Sequence, residues 1–277
     1  MHPYTTIDHT EAARLIAAGE VTILDVRTPG EYEKLGHIPG AWLLPVDLTA
    51  SAPAVLPADG RPVLVYCEHG VRSVAASQLL SAAGVGTVLN LSGGLSHWTG
   101  PREFGPGKLR GPSTWILENA DLLPRDGKVL DIACGRGRHA LLLASAGFEV
   151  QAIDRSPEAI AFLRDTAARM SLRVEAQLLD LETDPPPDLP SGFDAILVLN
   201  YLHRPLMPAL GAALKPGGRI FYETFTTRQA ERGHPKNPDF LLRDGELAEL
   251  LSPFSILRAR EGEFDGAFIA SVVAQRP

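Results

Sequence analysis

The sequence predicts an α/β protein of two domains, each built around its own largely parallel sheet, and three observations carry this. At 277 residues the chain is longer than one typical domain and long enough to bury two cores. Short Val/Ile/Leu-rich runs alternate with amphipathic stretches on both sides of residue 100, as strands joined by crossover helices do. Between them, residues 100–112 read GPREFGPGKLRGP, seven Gly or Pro in thirteen, which breaks helical and strand periodicity alike. The expected division is a domain over 1–100, a linker over 101–112 and a second domain over 113–277. A linker this short keeps the two near each other.

Composition narrows the class. Hydrophobic residues at 45% and charged residues at 21% suit a globular protein in water. No run of 18 apolar residues occurs, so no membrane span is expected. The start, Met1-His2-Pro3-Tyr4, lacks a basic end followed by an apolar stretch, so no secretory signal is expected either. Two cysteines, Cys67 and Cys134, make no disulfide framework and fit a reducing cytoplasm. The net charge of −7 is shared, −4 over residues 1–100 and −3 over the rest. Neither half carries the Lys/Arg run that would follow a phosphate backbone, which disfavours nucleic acid as a partner. The tract 184–190, DPPPDLP, reads as a rigid surface loop.

In the first domain, residues 63–66 (VLVY) form a continuous apolar run, as a strand buried on both faces requires. The run ends at Cys67-Glu68-His69-Gly70-Val71-Arg72-Ser73, and residues 74–83 then have helical spacing. A cysteine between a strand end and a helix start meets unpaired backbone N–H groups and the positive end of the helix dipole. Both stabilise a thiolate or an anionic sulfur attached to it. Gly70 lets the loop curl, and Arg72 adds positive charge at its far end. A lone cysteine is ordinarily a buried packing residue, and here the loop context argues against that role.

Around this loop stand Leu24-Asp25-Val26-Arg27 with Glu31-Tyr32, Gly36-His37-Ile38-Pro39-Gly40-Ala41, Ser92-Gly93-Gly94-Leu95 and Trp98. In these segments the sequence resembles the rhodanese family over residues 4–100. The resemblance implies a sulfurtransferase in which Cys67 carries a persulfide and His69, Gly70 and Arg72 complete the catalytic loop. It also implies that Asp25, Arg27 and Glu31 are structural ion-pairing groups and that His37 packs a loop. The loop from Cys67 to Arg72 has six residues, the length found in sulfur-transferring members. The related dual-specificity phosphatases have one residue more, so sulfur transfer is favoured over phosphatase activity. Glu68 puts a carboxylate beside the sulfur, which would repel a dianion such as thiosulfate by a modest, screened amount. A protonated His69 would offset this, and the expectation is that Glu68 points into solvent.

In the second domain, residues 128–133 (KVLDIA) read as a strand, followed by Cys134-Gly135-Arg136-Gly137-Arg138-His139 and a helix through Ala146. Glycines here let the backbone approach a ligand, and the helix start offers N–H donors. Alone, this turn also suits a nicotinamide dinucleotide. Residues 148–153 form the next strand, and Asp154 at its end suits ribose hydroxyls in either reading. Three features argue against the dinucleotide. Asp131 would repel a pyrophosphate but attract an amino acid's ammonium. Asp180, in Leu178-Leu-Asp-Leu-Glu182, ends a third strand where an adenine amino group could be met. Residues 214–222 (LKPGGRIFY) are a helix stop running into a strand, and 254–259 with 267–274 read as an antiparallel hairpin.

This set resembles the class I S-adenosylmethionine-dependent methyltransferases over roughly residues 113–277, and implies a Rossmann-like domain with a seven-stranded sheet. Carried over by position, the resemblance implies S-adenosyl-L-methionine as cofactor. Asp131, Gly135 and Gly137 would hold its methionine end, Asp154 with Arg155 its ribose, and Asp180 with Leu181 its adenine. Asn200 ends the fourth strand, residues 193–200, where the methyl group meets its acceptor. Ala133 departs from the glycine of many relatives but is small enough for binding to survive. Cys134 is expected to pack, as are Trp98 and Trp115.

For the acceptor, the candidates are Tyr201, His203, Arg204, Tyr222, Glu223 and His139, with Thr224 and residues 228–234 nearby. Methyl transfer from a sulfonium is an in-line displacement in which positioning supplies most of the catalysis. The N/D-P-P-Y/F turn of enzymes methylating amide or exocyclic nitrogen is absent after the fourth strand, and no second cysteine stands where a pyrimidine-C5 enzyme needs its nucleophile. Small thiols, chalcogen oxyanions and hydroxyls remain. Residues 130–146 resemble the tellurite-resistance methyltransferases and their thiol-methylating neighbours. The expected protein is therefore a bifunctional enzyme whose partners are a small-molecule methyl acceptor and a sulfur donor, with no metal. Its alternative is a methyltransferase of RNA or protein whose first domain carries sulfur or docks a partner.

Overall fold

The structure is a computed structural model that describes residues 4–125 and 127–277. The start at Met1–Pro3, read above for its lack of a leader, lies outside the described residues. The chain divides into two compact units, Met1–Pro112 with Asp165–Leu172, and Ser113–Arg164 with Arg173–Pro277.

The first unit holds a five-stranded sheet of β1 (Thr5–Ile7), β2 (Thr22–Asp25), β3 (Trp42–Leu43), β4 (Val63–Tyr66) and β5 (Val88–Leu91), in the order β1-β5-β4-β2-β3. Every pairing is parallel. β4 sits in the middle and is buried along its length. Its side chains alternate between two cores, Val63 and Val65 in one, Leu64 and Tyr66 in the other. That is why the sequence there reads as an unbroken apolar run. The helix Pro29–Lys34 opens with a capping box, Thr28 accepting from the Glu31 N–H while the Glu31 carboxylate accepts from the Thr28 N–H. The helix after β4 begins at Val71, three residues earlier than its periodicity indicated, because Gly70 at φ +86° turns the chain directly into it.

The second unit holds a seven-stranded sheet of β6 (Lys128–Ile132), β7 (Glu149–Asp154), β8 (Val174–Leu178), β9 (Phe193–Leu199), β10 (Leu214–Phe225), β11 (Ser255–Phe264) and β12 (Ala267–Gln275). Its order is β11-β12-β10-β9-β6-β7-β8, parallel throughout except where β12 pairs antiparallel with β10 and β11. The chain runs outward from β6 to β7 and β8, then returns to the other side of β6 as β9. Such a reversal of strand order opens a crevice at the carboxyl ends of the strands, where ligands bind in open α/β sheets. The C-terminal hairpin is longer than expected, because β12 pairs with β10 as far as Phe225 and so extends both strands. Trp98 and Trp115 are both buried.

Candidate functional site

The loop after β4 wraps Cys67. The residue is 1% exposed, and the backbone N–H groups of Gly70 and Ser73 point at its sulfur from 3.1 and 3.3 Å. The helix Val71–Ala82 starts directly behind, so two donors and a helix dipole face one sulfur atom. Ser73 Oγ stands 3.6 Å from the same sulfur. The adjoining loop braces the cradle from outside, with Leu95 N–H and Ser96 N–H donating to the carbonyls of Cys67 and Glu68. Gly94 makes this approach possible, since a Cβ there would fall 2.4 Å from the Cys67 carbonyl oxygen.

Two ion pairs set the loop's shape. Arg27 is fully buried, holds both Asp25 oxygens through Nε and Nη2, and donates Nη1 to Glu68 at 2.7 Å. Burial works against its charge, but the Asp25 carboxylate more than compensates and raises its pKa. Arg72 grips Glu31 with both terminal nitrogens at 2.8 and 2.5 Å. That contact, opposed by partial burial and aided by Thr28, holds the Glu31 carboxyl down at about 2. The solvent-facing orientation expected for Glu68 is therefore corrected: the buried Arg27 guanidinium holds its carboxylate against the loop. Arg72 likewise meets a carboxylate rather than standing as a free cation. His69 and Val71 are exposed at the loop's rim, and His37 is buried, stacked on the Tyr32 ring at 3.5 Å.

In the second unit, the residues at the strand ends converge. Asp154, at the end of β7, accepts from Gly135 N–H at 2.7 Å and from Ser156 N–H at 2.8 Å, tying the glycine turn to the neighbouring strand. Gly135 at φ +54° has nothing within 4 Å of where a Cβ would stand, so its outer face is open. Gly137 at φ +82° is closed by Leu163, which a Cβ would meet at 2.4 Å. One pocket is lined by Ala133, Asp154, Arg155, Asp180, Leu181 and Tyr201, with Leu179 and Glu182 beside them. Arg155 there pairs with Glu182 at 2.8 Å. Tyr201, expected at the acceptor, thus stands with the groups expected around ribose and adenine.

Asp131 lies beneath the turn at 1% exposure, and its Oδ2 has no hydrogen-bond partner among the described residues. Burial pushes its pKa up to about 7, against the opposing pull of Arg138 and of the Ala140 N–H. Arg138, half-buried at the helix start and close enough to feel Asp131 and Glu223, is a charge to which the sequence reading assigned no role. Only its place in the glycine turn could have signalled it. Burial, followed by Asp131 and Asp154, pushes the Cys134 thiol far up, so Cys134 packs and does not react.

Ala133 adopts φ +52°, the left-handed region. Replacing it by Gly relieves about 0.5–1 kcal/mol of backbone strain net of glycine's greater unfolded-state freedom. The expected result is a later urea midpoint for the second unit's transition, read by Trp115 fluorescence.

Four acceptor candidates are engaged by other groups of the protein. Tyr222 is 1% exposed in the core, with its hydroxyl donating to the Tyr201 carbonyl. Glu223 is saturated, accepting from Ser113 Oγ, Ser271 Oγ and the Arg260 guanidinium. His139 is buried and neutral; desolvation, then Arg138, pushes its pKa well below the usual value, and Nε2 accepts from Ser113 N–H. Arg204 spends Nε, Nη1 and Nη2 on Glu246 and on the carbonyls of Asp239 and Leu241. What remains beside the end of β9 is Asn200, in the left-handed region at φ +58°, with Tyr201 Oη and His203 Nε2, both buried without a hydrogen-bond partner among the described residues.

Comparison with known proteins identifies both domains. Residues 8–101 match the rhodanese-like domain and residues 129–218 a methyltransferase domain. A sulfurtransferase of Allochromatium vinosum is 41% identical over 85 residues, covering 31% of this chain and 78% of its own. A ubiquinone biosynthesis O-methyltransferase of Xanthomonas campestris pv. campestris is 32% identical over 108 residues, 37% of this chain and 45% of its own. The chain therefore spans less than half the length of that methyltransferase. Among solved structures, TehB from Haemophilus influenzae superposes with a TM-score of 0.51 at 20% identity, over 60% of this chain and 63% of that one, a likeness of fold.

Proposed function

Because the chain belongs to the rhodanese-like sulfurtransferases in its first hundred residues and carries a methyltransferase domain in its second half, we propose that it joins two reactions of small molecules. One is sulfur transfer through a persulfide on Cys67. The other is methyl transfer from S-adenosyl-L-methionine to a soft nucleophile, a thiol, a persulfide or a selenium or tellurium oxyanion. The cofactor's part is to supply an electrophilic methyl on a sulfonium.

The residues present fit that cofactor. Asp131 Oδ2, buried without a partner, suits an ammonium. The pocket with Asp154, Arg155, Asp180 and Leu181 suits ribose and adenine, and the open face of Gly135 lets the ligand pass close to the backbone. In this reading Asp131 orients the amino-acid end, Asp154 takes ribose hydroxyls while holding the glycine turn, Tyr201 lines the ribose and adenine pocket, and Asn200 and His203 stand at the transfer point.

The observation that carries the acceptor class is the engagement of Glu223, His139 and Arg204 in structural contacts. With these groups committed, the site offers positioning and, in the unpartnered His203 Nε2, one imidazole for proton transfer, which suits an acceptor that is already a strong nucleophile. The two free cysteines fit a reducing cytoplasm, and no described helix is long and apolar enough to cross a membrane. The test is isotopic methyl transfer to a panel of thiols, selenite, tellurite and bulk RNA. Label entering a small chalcogen compound supports the reading; label entering RNA alone overturns it.

The raised Asp131 pKa sets a pH dependence. An ammonium needs the carboxylate ionised, and a group titrating near 7 is protonated below that pH. Cofactor affinity should hold constant above pH 7.5 and fall toward about tenfold per unit below pH 7, measured by calorimetry.

A further inference from the structure

We infer that the donor that loads Cys67 is an alkyl persulfide and not thiosulfate, an inference that rests on the sulfur-transfer reading above. The charges around the loop carry it. Three carboxylates, Asp25, Glu31 and Glu68, stand against two guanidiniums, Arg27 and Arg72, which leaves this set at −1. Neither guanidinium is free. Arg27 has no exposed surface and is shared between Asp25, Glu68 and the Gly36 carbonyl. Arg72 is held end-on by Glu31. The donors left over are the Gly70 and Ser73 N–H groups, which point at the cysteine sulfur and serve any sulfur anion equally.

A thiosulfate dianion approaching Cys67 therefore meets a set of paired charges that sums to −1, with no unpaired cation among these side chains to offset it. An alkyl persulfide carries at most one charge, on the sulfur that is transferred. Its carbon end meets the loop's rim, where Val71 is 78% exposed. The step balances without a co-reactant. The Cys67 thiolate attacks the terminal sulfur of R–S–SH and a new S–S bond forms. The donor's own S–S bond breaks, its electron pair stays on the R–S sulfur, and the proton leaves with R–SH. Cys67 is left as the persulfide anion under the two N–H groups.

The test is the rate of sulfur addition to Cys67 in the full chain at pH 8, read by intact mass, with thiosulfate or 2-mercaptoethanol persulfide as donor. The persulfide should load at least about tenfold faster, the scale of a screened unit charge acting on a dianion. Thiosulfate loading as fast overturns the inference, whereas failure of both donors overturns the sulfur-transfer reading beneath it. A persulfidated cysteine peptide, run alongside, separates a carried persulfide from a free one by which loads faster. Glu68→Gln keeps an acceptor for Arg27 while removing the charge. It should shift the donor ratio toward thiosulfate by about tenfold, and an unchanged ratio overturns the electrostatic account.

Discussion

Replacing Cys67 by Ser abolishes sulfur transfer, with a loss of at least about a thousandfold in rate from persulfide donor to cyanide. The cause is chemical. The Gly70 and Ser73 N–H groups and the start of the helix Val71–Ala82 stabilise an anion at the Sγ position. A cysteine sulfur can attack the donor's outer sulfur and carry it as a persulfide, whereas a serine oxygen forms no persulfide. The exchange is nearly isosteric and the site is buried, so the variant folds and its cofactor binding in the second unit is retained. Sulfur transfer that persists in Cys67→Ser would remove Cys67 from its role. Loss of both activities would mean that the substitution had damaged the chain.

Asp131→Asn should move stability and binding in opposite directions. In the absence of ligand the Asp131 carboxylate is buried with one oxygen unpaired, and its pKa is raised to about 7 from an ordinary aspartate value. A carboxyl whose folded pKa lies above its unfolded one costs stability as pH climbs between the two, and the full cost stands above pH 7. Asn removes that cost, so at pH 8 the variant should gain up to a few kcal/mol. Cofactor affinity should drop by about a hundredfold or more, because an ammonium then loses its buried counter-charge. The dependence of affinity on pH between 6 and 8 should flatten in the same variant. Unchanged affinity would show that Asp131 serves the fold alone.

Much of this was legible in the chain. Both strand–loop–helix units announced themselves, because an apolar run, a glycine and a following helical period are neighbours in sequence. Cys67, Gly70, Gly135 and Gly137 could be found that way, since what they do depends on backbone within a few residues. Asp154 and Asp180 were picked by the same rule, Asp154 closing β7 and Asp180 standing two residues past β8, and both line one pocket. The dispositions of the charged residues were not legible. Glu68 read as a solvent-facing carboxylate, yet it is bound by an arginine 41 positions earlier.

The acceptor side shows the same divide. His139, Arg204, Tyr222 and Glu223 are chemically able side chains at plausible places in the sequence, and nothing local marks them as structural. Glu223 is satisfied by Ser113, 110 positions away, and Arg204 by Glu246, 42 positions away. The sequence by itself determined the two α/β units, the loop that wraps Cys67 and the glycine turn after β6, because periodicity and turn chemistry are short-range. Only the tertiary structure decided which polar groups are free to act. A buried charge must find a partner, and the fold supplies that partner from segments distant along the chain.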